Sequence, residues 1–406
     1  MLKESVREDY LTWAEIDLDA IKYNLRQIRR LASRNRFFLP SRHNNPSKTK
    51  EHKIGVLAVI KADAYGHGMV EVAKLLDEEG VESFAVSNVS EGVRLRKIGI
   101  KKPILLFETT LPIFVRDICH YSLMPTVTNL DFAEELNRYA YKIRRNVYIH
   151  IQVDTGMGRF GIWHEDAYDF IRKIMGLRRL IIYGIYTHFP VADKDRRFTL
   201  RQVKDLYNLV VRLDKSGFVI PFIHASNSMG LAGYRTDVLN LVRPGLMLYG
   251  LYPHPRLRKD IKLKPALSVK SKVIYLQKIS KGRGISYGRT FIAEKDMIVA
   301  TIPIGYNDGY LRCLSNKAYV LIKGVRCAVL GRVTMDEIVV DVSKIISPQS
   351  FDSGSRCLRL GSLVTLVGRQ GKEEISADEL AQYADTINYE IVCSLGNRLP
   401  RVYKKR

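Results

Sequence analysis

Residues 54–68 read Ile54-Gly55-Val56-Leu57-Ala58-Val59-Ile60-Lys61-Ala62-Asp63-Ala64-Tyr65-Gly66-His67-Gly68. Two changes of texture inside this stretch decide the fold. From Ile54 to Ile60 no polar side chain interrupts the run. A short run of that kind fits a parallel strand covered on both faces. At Lys61 the apolar run stops, and a polar, glycine-containing segment leads into the amphipathic pattern Gly68–Glu79. Strand, loop and helix follow one another within one short unit.

The same unit recurs along the chain. Further strands are predicted at Phe84–Ser87, Ile104–Phe107, Met124–Thr128, Val147–Val153, Ile181–His188, Phe222–Ala225 and Val242–Tyr249. Helical patterns occupy Ser90–Lys97, Leu130–Arg144, Glu165–Met175 and Thr199–Ser216. Eight strands in about 200 residues favour a TIM-type (β/α)8 barrel, since open doubly wound sheets usually have fewer strands. The fold class is therefore α/β. Before the first strand the pattern predicts a helix, Asp19–Ala32. Ser33–Lys53 follows, with Pro40, Pro46, Asn44-Asn45 and many basic residues. It reads as an exposed insertion.

From Lys264 the texture becomes mainly β. Ser268–Gln277, Met297–Pro303, Ala318–Ile322, Arg326–Leu330, Glu337–Val342 and Leu363–Gly368 are strand-like, and Ser376–Asn388 is helical. The expected domains are a barrel over residues 12–263 and a mainly β domain over 264–406, joined by residues 1–11.

The chain has 406 residues and a net charge of +23, from 65 basic and 42 acidic side chains. Apart from Arg34–Lys53 and Arg398–Arg406, the basic residues are scattered and no nucleic-acid motif accompanies them. A solvated basic surface is the better reading than specific nucleic-acid binding. No apolar run approaches the roughly 18 residues that span a bilayer, and the N-terminus has no signal-peptide core. Cys119, Cys313, Cys327, Cys357 and Cys393 form no close pair. Their spacing supports neither a metal site nor a disulfide framework, and reduced thiols in a cytoplasmic protein are expected.

Barrel chemistry sits at the C-terminal ends of the strands. Lys61 ends the first. Partial burial favours a neutral amine, which can form a Schiff base with a carbonyl, although a lone lysine there is more often an ordinary surface group. After the fifth strand comes Asp154-Thr155-Gly156-Met157-Gly158-Arg159-Phe160-Gly161. Its glycines allow close backbone approach, and Arg159 offers a fork to an oxygen anion. A glycine-rich turn with a solvated arginine fits equally well.

His188, in Thr187-His188-Phe189, ends the sixth strand. His224-Ala225-Ser226-Asn227-Ser228 follows the seventh and could offer donors to a phosphate, or Asn227 or Ser228 could simply cap a helix. In Arg243-Pro244-Gly245-Leu246, a buried arginine would need an acceptor, for which a pyridine nitrogen or an ion pair would serve. In the second domain, Tyr287 lies in Ile285-Ser286-Tyr287-Gly288-Arg289-Thr290. Such a phenol is commonly structural and could also move a proton.

These segments, with Gly305-Tyr306-Asn307-Asp308-Gly309-Tyr310, Gly331-Arg332-Val333-Thr334-Met335-Asp336 and Asn388-Tyr389-Glu390-Ile391, resemble the alanine racemase family. The matches run in the family's order over residues 13–403, and it is the ordered combination that is specific. The resemblance implies a barrel followed by a β domain, pyridoxal phosphate (PLP) as cofactor, a small amino-acid substrate and a homodimer with shared active sites. It implies interconversion of L- and D-alanine, supplying D-alanine for peptidoglycan, with no metal and no membrane.

Carried over by position, Lys61 looks like the Schiff-base lysine and one catalytic base. Tyr287, from the partner chain, looks like the other. Tyr65, Asn227, Ser228, Gly245, Leu246 and Tyr389 correspond to the cofactor's phosphate end. Arg243 resembles the arginine facing the pyridine nitrogen, and His188 the histidine linking it to the tyrosine base. Arg159 corresponds to the arginine near the phenolic oxygen and the substrate carboxylate, and Met335 to a carboxylate-holding amide. Asp193, Tyr306, Arg312 and Arg332 match entrance-corridor positions. Two departures stand out. Gln152 replaces a lysine that many members carbamylate to hold the active-site arginine, so Arg159 must be held by Gln152 itself or by an anion. Thr334 replaces a common cysteine.

Alternatives are a racemase for serine or another small amino acid, a fold-related PLP decarboxylase, a non-catalytic PLP-binding protein and a Schiff-base aldolase. The second domain and its tyrosine argue against the last two, and Ser286-Tyr287-Gly288 favours a racemase over a decarboxylase.

Overall fold

The computed structural model describes residues 10–34, 54–234, 239–352 and 357–405. Nearly all of the expected insertion Ser33–Lys53, from residue 35 on, lies outside them, as do residues 1–9. The chain forms two compact units. One comprises residues 22–64 and 69–264, and the other residues 10–21, 65–68 and 265 onward.

The first unit is a nearly closed ring of eight parallel strands. In order they are Gly55–Val59, Ser83–Val86, Ile104–Thr109, Met124–Val127, Val147–Asp154, Leu180–Tyr186, Phe222–His224 and Leu241–Val242. Each pairs with the next as far as the seventh, and the eighth returns to the first through Leu241 opposite Gly55 and Val242 opposite Val56. Between the seventh and eighth strands the ring is bridged by two backbone bonds. Asn240 N–H donates to the Ile223 carbonyl at 3.1 Å, and Arg243 N–H to that of Ser226 at 2.8 Å.

Every residue of the first, second and fourth strands is buried. That double burial is why these strands read as unbroken apolar runs. The crossover helices start where polar caps stand. Asn88, Asn129 and Asp195 accept from the amides of Glu91, Phe132 and Phe198. Caps of this kind are each worth about 1 kcal/mol.

The eighth strand is shorter than the expected Val242–Tyr249. Pro244 has no N–H to give to a ladder, and the chain turns after Arg243 into a 3-10 turn, Leu246–Tyr249. The short helix Val115–His120 had no counterpart in the sequence reading, and Ser228–Gly233 is the helix whose capping by Asn227 or Ser228 that reading left open. Neither is long enough to show a helical period.

The second unit is mainly β. Its ten-stranded sheet includes Thr12–Asp17, antiparallel to Leu267–Lys272 and parallel to Arg401–Lys404. Residues 12–21, assigned to the barrel in the sequence reading, therefore belong to this unit. Trp13, Ala14 and Ile16 are buried there, and both strand edges are paired. The expected strand Ser268–Gln277 is two strands, Leu267–Lys272 and Tyr275–Ile279. The expected helix Ser376–Asn388 ends early, as Ala377–Ala384 followed by left-handed Asp385 at φ 54°, and a further helix, Asn388–Cys393, begins at its last residue. Among the described residues no helix is long and apolar enough to cross a membrane.

Candidate active site

Lys61 follows the first barrel strand at its C-terminal end and is half-buried. That strand end is pinned by the segment that follows the eighth strand. Val59 N–H donates to the Pro244 carbonyl at 3.0 Å, and the Tyr249 hydroxyl donates to the Val59 carbonyl at 3.0 Å. Beyond Lys61 the backbone is left-handed over four consecutive non-glycine residues, Ala62, Asp63, Ala64 and Tyr65, with φ of 53°, 50°, 56° and 54°. Such conformations cost energy for L-residues and persist only when their surroundings enforce them.

Glu91 provides part of that enforcement. Its carboxylate accepts from the amides of Ala62 and Ser87, both at 2.7 Å. The Asp63 carboxylate accepts from Met69 N–H and from Arg94, both at 3.0 Å.

Arg243 is 3% exposed. Its Nη1 donates to His224 Nδ1 at 2.8 Å, and its Nη2 to the carbonyls of Thr187 at 2.8 Å and Ala225 at 2.9 Å. His188 Nδ1 stands 3.5 Å from the same Nη2. Among the described residues no carboxylate binds this guanidinium, so the ion pair that the sequence left open is not formed. Burial pushes its pKa down to about 10, still protonated at neutral pH.

Burial, followed by the Arg243 charge, pushes His150 and His188 down to about 3 and lowers His224 as well. Arg159 and Lys61 add to the effect on His188. The three imidazoles are neutral at ordinary pH, and positive potential gathers at the strand ends.

In the last barrel loop the buried hydroxyl of Ser228 accepts from the amides of Gly245 at 3.3 Å and Met247 at 3.4 Å. Leu246 opens the 3-10 turn between them. Asn227 takes the capping part that the sequence left open beside the cofactor role. Its side chain accepts from Gly230 N–H at 2.9 Å and caps the helix Ser228–Gly233, so its acceptor is taken by a helix start.

Arg159 is exposed, with its guanidinium 4.9 Å from the centre of the Phe160 ring. Its loop is organised by buried Asp154, whose carboxylate accepts from Gly156, Met157 and Gly158 N–H at 2.7–2.8 Å. Gly156 has φ 132°, and a Cβ there would lie 2.5 Å from the Phe198 ring. Asp193 lines a surface cleft with Lys194, Arg196, Tyr234, Arg256 and Asp260.

The other candidates lie in the β unit. Tyr65 is buried with its ring 6.2 Å from that of Tyr389, and burial raises its pKa, which keeps the phenol a donor. At Gly66, φ 78°, a Cβ would meet the Val392 carbonyl oxygen at 2.1 Å, so only glycine fits.

Tyr287 sits at the tip of a hairpin, Gly284–Ile285 paired with Phe291–Ile292, and is 73% exposed. Ile285 roots the hairpin in a small core with Ile279, Met297, Val299 and Leu330. The Ser286 hydroxyl donates to the Arg332 carbonyl at 2.6 Å. Tyr306 and Asn307 N–H donate to the carbonyls of Thr334 and Met335 at 3.0 and 3.1 Å, and Val333 N–H to Ser315 Oγ at 2.9 Å. These bonds gather Tyr287, Tyr306, Arg312, Arg332 and Met335 into one loop cluster, in which all five side chains are exposed.

Sequence reasoning assigned no role to His150, His224, Glu91 or Asp154. A signal for part of this set was available. In Val147–Asp154, His150, Gln152 and Asp154 alternate with Ile149, Ile151 and Val153, and all six are buried. Alternation in a strand buried on both faces marks a polar stripe on one of them.

The residues present fit PLP. Lys61 can bind an aldehyde. Arg243, bound only to neutral acceptors, suits a neutral ring nitrogen. The Gly245 and Met247 amides beside Ser228 suit a phosphate. A barrel with this inventory defines the class of PLP-binding barrel proteins.

Residues 42–253 match the family model described as alanine racemase, N-terminal domain, and residues 266–403 match the alanine racemase C-terminal domain. An alanine racemase of Halothermothrix orenii is 40% identical over 396 residues, covering 97% of each chain. The structure of alanine racemase from Clostridium difficile 630 matches with a TM-score of 0.85 at 35% identity, covering 97% of this chain and 96% of that one. A Bacillus anthracis alanine racemase whose structure holds L-Ala-P matches at 0.83 and 33%, covering 97% and 95%. The chain belongs to the alanine racemase family.

Proposed function

We propose that the chain is a PLP-dependent isomerase that interconverts L- and D-alanine. The observation that carries the reading is the buried Arg243 guanidinium, held by neutral acceptors alone in a barrel of this family. When bound, PLP supplies the electron sink that makes a substrate Cα proton removable.

Lys61 would bind the cofactor and exchange the proton on one face of Cα, and Tyr287 of the partner subunit would exchange it on the other. Arg243 keeps its protons at neutral pH, so it would donate to the pyridine nitrogen without protonating it. That moderates the sink and disfavours transamination. His188, a neutral imidazole 3.5 Å from Arg243 Nη2, would link Arg243 to the tyrosine base. Arg159 and the Met335 amide would hold the carboxylate. Tyr65, Ser228, Gly245, Leu246 and Tyr389 would hold the phosphate, and Asp193, Tyr306, Arg312 and Arg332 would line the approach. The barrel unit and the β unit are read as two domains of a cytoplasmic homodimer with shared sites.

Racemisation assays with L- and D-alanine, serine and other small amino acids test the proposal. Alanine should turn over fastest in both directions. A preference for another amino acid would reassign the substrate, and carbon dioxide release without racemisation would replace the reading with decarboxylation.

A further inference from the structure

Arg243 can only donate, so His224 Nδ1, 2.8 Å away, must accept. A neutral His224 then carries its proton on Nε2. That nitrogen lies 3.0 Å from His150 Nδ1, which must accept in turn. His150, also neutral, therefore carries its proton on Nε2. This last N–H is buried and has no acceptor among the described protein groups.

The relay is thus directional, from Arg243 through His224 to His150, and no carboxylate among the described residues terminates it. Its rings are held in place by packing. Tyr186 stacks on His224 at 4.8 Å and 11°, and its hydroxyl pairs with Thr126 at 2.8 Å. His150 presses on the backbone of the sixth strand, where a Cβ at Gly184 would lie 2.5 Å from its Cε1 and Nδ1.

We propose that His150 and His224 are positioning residues for Arg243, a relay of two neutral imidazoles that aims the guanidinium without neutralising its charge. A carboxylate at the end of such a chain would draw a proton into it and pair with the cation. Two imidazoles with a fixed tautomer orient the donor and leave its full charge facing outward. The inference rests on the proposed role of Arg243 toward the cofactor ring.

The first test is independent of that role. In holoenzyme labelled with 15N-histidine, long-range 15N–1H spectra at neutral pH should show both imidazoles neutral with the proton on Nε2. A proton on His224 Nδ1, or an imidazolium at either site, overturns the relay. The second test compares His150→Leu with His150→Gln. Leucine keeps bulk and removes the acceptor, whereas glutamine restores an acceptor oxygen. The leucine variant should lose about tenfold in kcat with KM for alanine little changed, and the glutamine variant should regain most of it. Equal losses in both variants, or no loss in either, overturn the positioning role. If neither variant folds, the wild-type tautomers decide. If the chain proves to act on another substrate, the tautomer result still stands, so the two failures are distinguishable.

Discussion

The side-chain amide of Gln152 donates to the carbonyl oxygen of Phe160 across 2.9 Å. Gln152 is thus bound to the backbone one position beyond Arg159. It holds the arginine through its loop, with no bond to the guanidinium itself. Gln152→Leu should leave that carbonyl without its donor, at a cost of about 1–3 kcal/mol. KM for alanine should rise several-fold while the melting temperature moves by a few degrees. An unchanged KM would mean that the loop is held by Asp154 alone.

Lys61→Ala should remove the covalent attachment of PLP. Borohydride treatment followed by peptide mapping should label the wild type at residue 61 and leave the variant unlabelled. Label on another lysine in the variant would move the anchor.

Tyr287 is 73% exposed at a hairpin tip of its own chain, as expected of a group that serves a neighbour's site. Tyr287→Phe should reduce racemisation steeply in both directions. Exchange of the Cα hydrogen with solvent should fall much further for L-alanine than for D-alanine. Mixing inactive Lys61→Ala chains with inactive Tyr287→Phe chains should restore part of the activity, because one site of each heterodimer keeps both wild-type bases. Heterodimers that form and stay inactive would exclude action between chains.

Buried His150 and half-buried His188 tie stability to pH. Folded, His150 and His188 stay neutral down to about 3, whereas unfolded they titrate near the ordinary 6.5. Between those values the unfolded chain binds protons that the folded chain refuses. Stability should therefore fall as pH falls from 6.5 toward 3, with no such loss above 6.5. The slope can reach about 1.4 kcal/mol per pH unit for each histidine. Urea midpoints should drop between about pH 7 and pH 5, and less so in His150→Gln. A variant that follows the wild-type slope would mean that His150 does not take part.

The barrel was legible because its strands are covered on both faces, which writes them as apolar runs. The strand at Thr12–Asp17 was not assigned to the β unit, because its partners, Leu267–Lys272 and Arg401–Lys404, lie more than 200 residues away. The places of Lys61, Ser228 and Arg243 just beyond barrel strands were legible from the runs that precede them. The relay behind Arg243 was not. It joins the fifth strand to the seventh, and a lone histidine carries no sign of which other histidine it will face. At Asn227 the local use, a helix cap, was one of the two readings that the sequence left open.

The left-handed run after Lys61 also bears on how freely this chain can vary. Ala62, Asp63 and Ala64 hold a backbone conformation that glycine and asparagine adopt cheaply and branched side chains resist. In a saturation library Ala62 and Asp63 should accept glycine, asparagine or aspartate and reject valine, isoleucine and threonine, while buried Ala64 should also refuse polar side chains for want of space and partners. The rejection of branched side chains would come from the bend itself, though none of the three side chains has been given any part in the chemistry. Mutational drift beside the anchoring lysine is confined to a narrow corridor by the shape of the main chain.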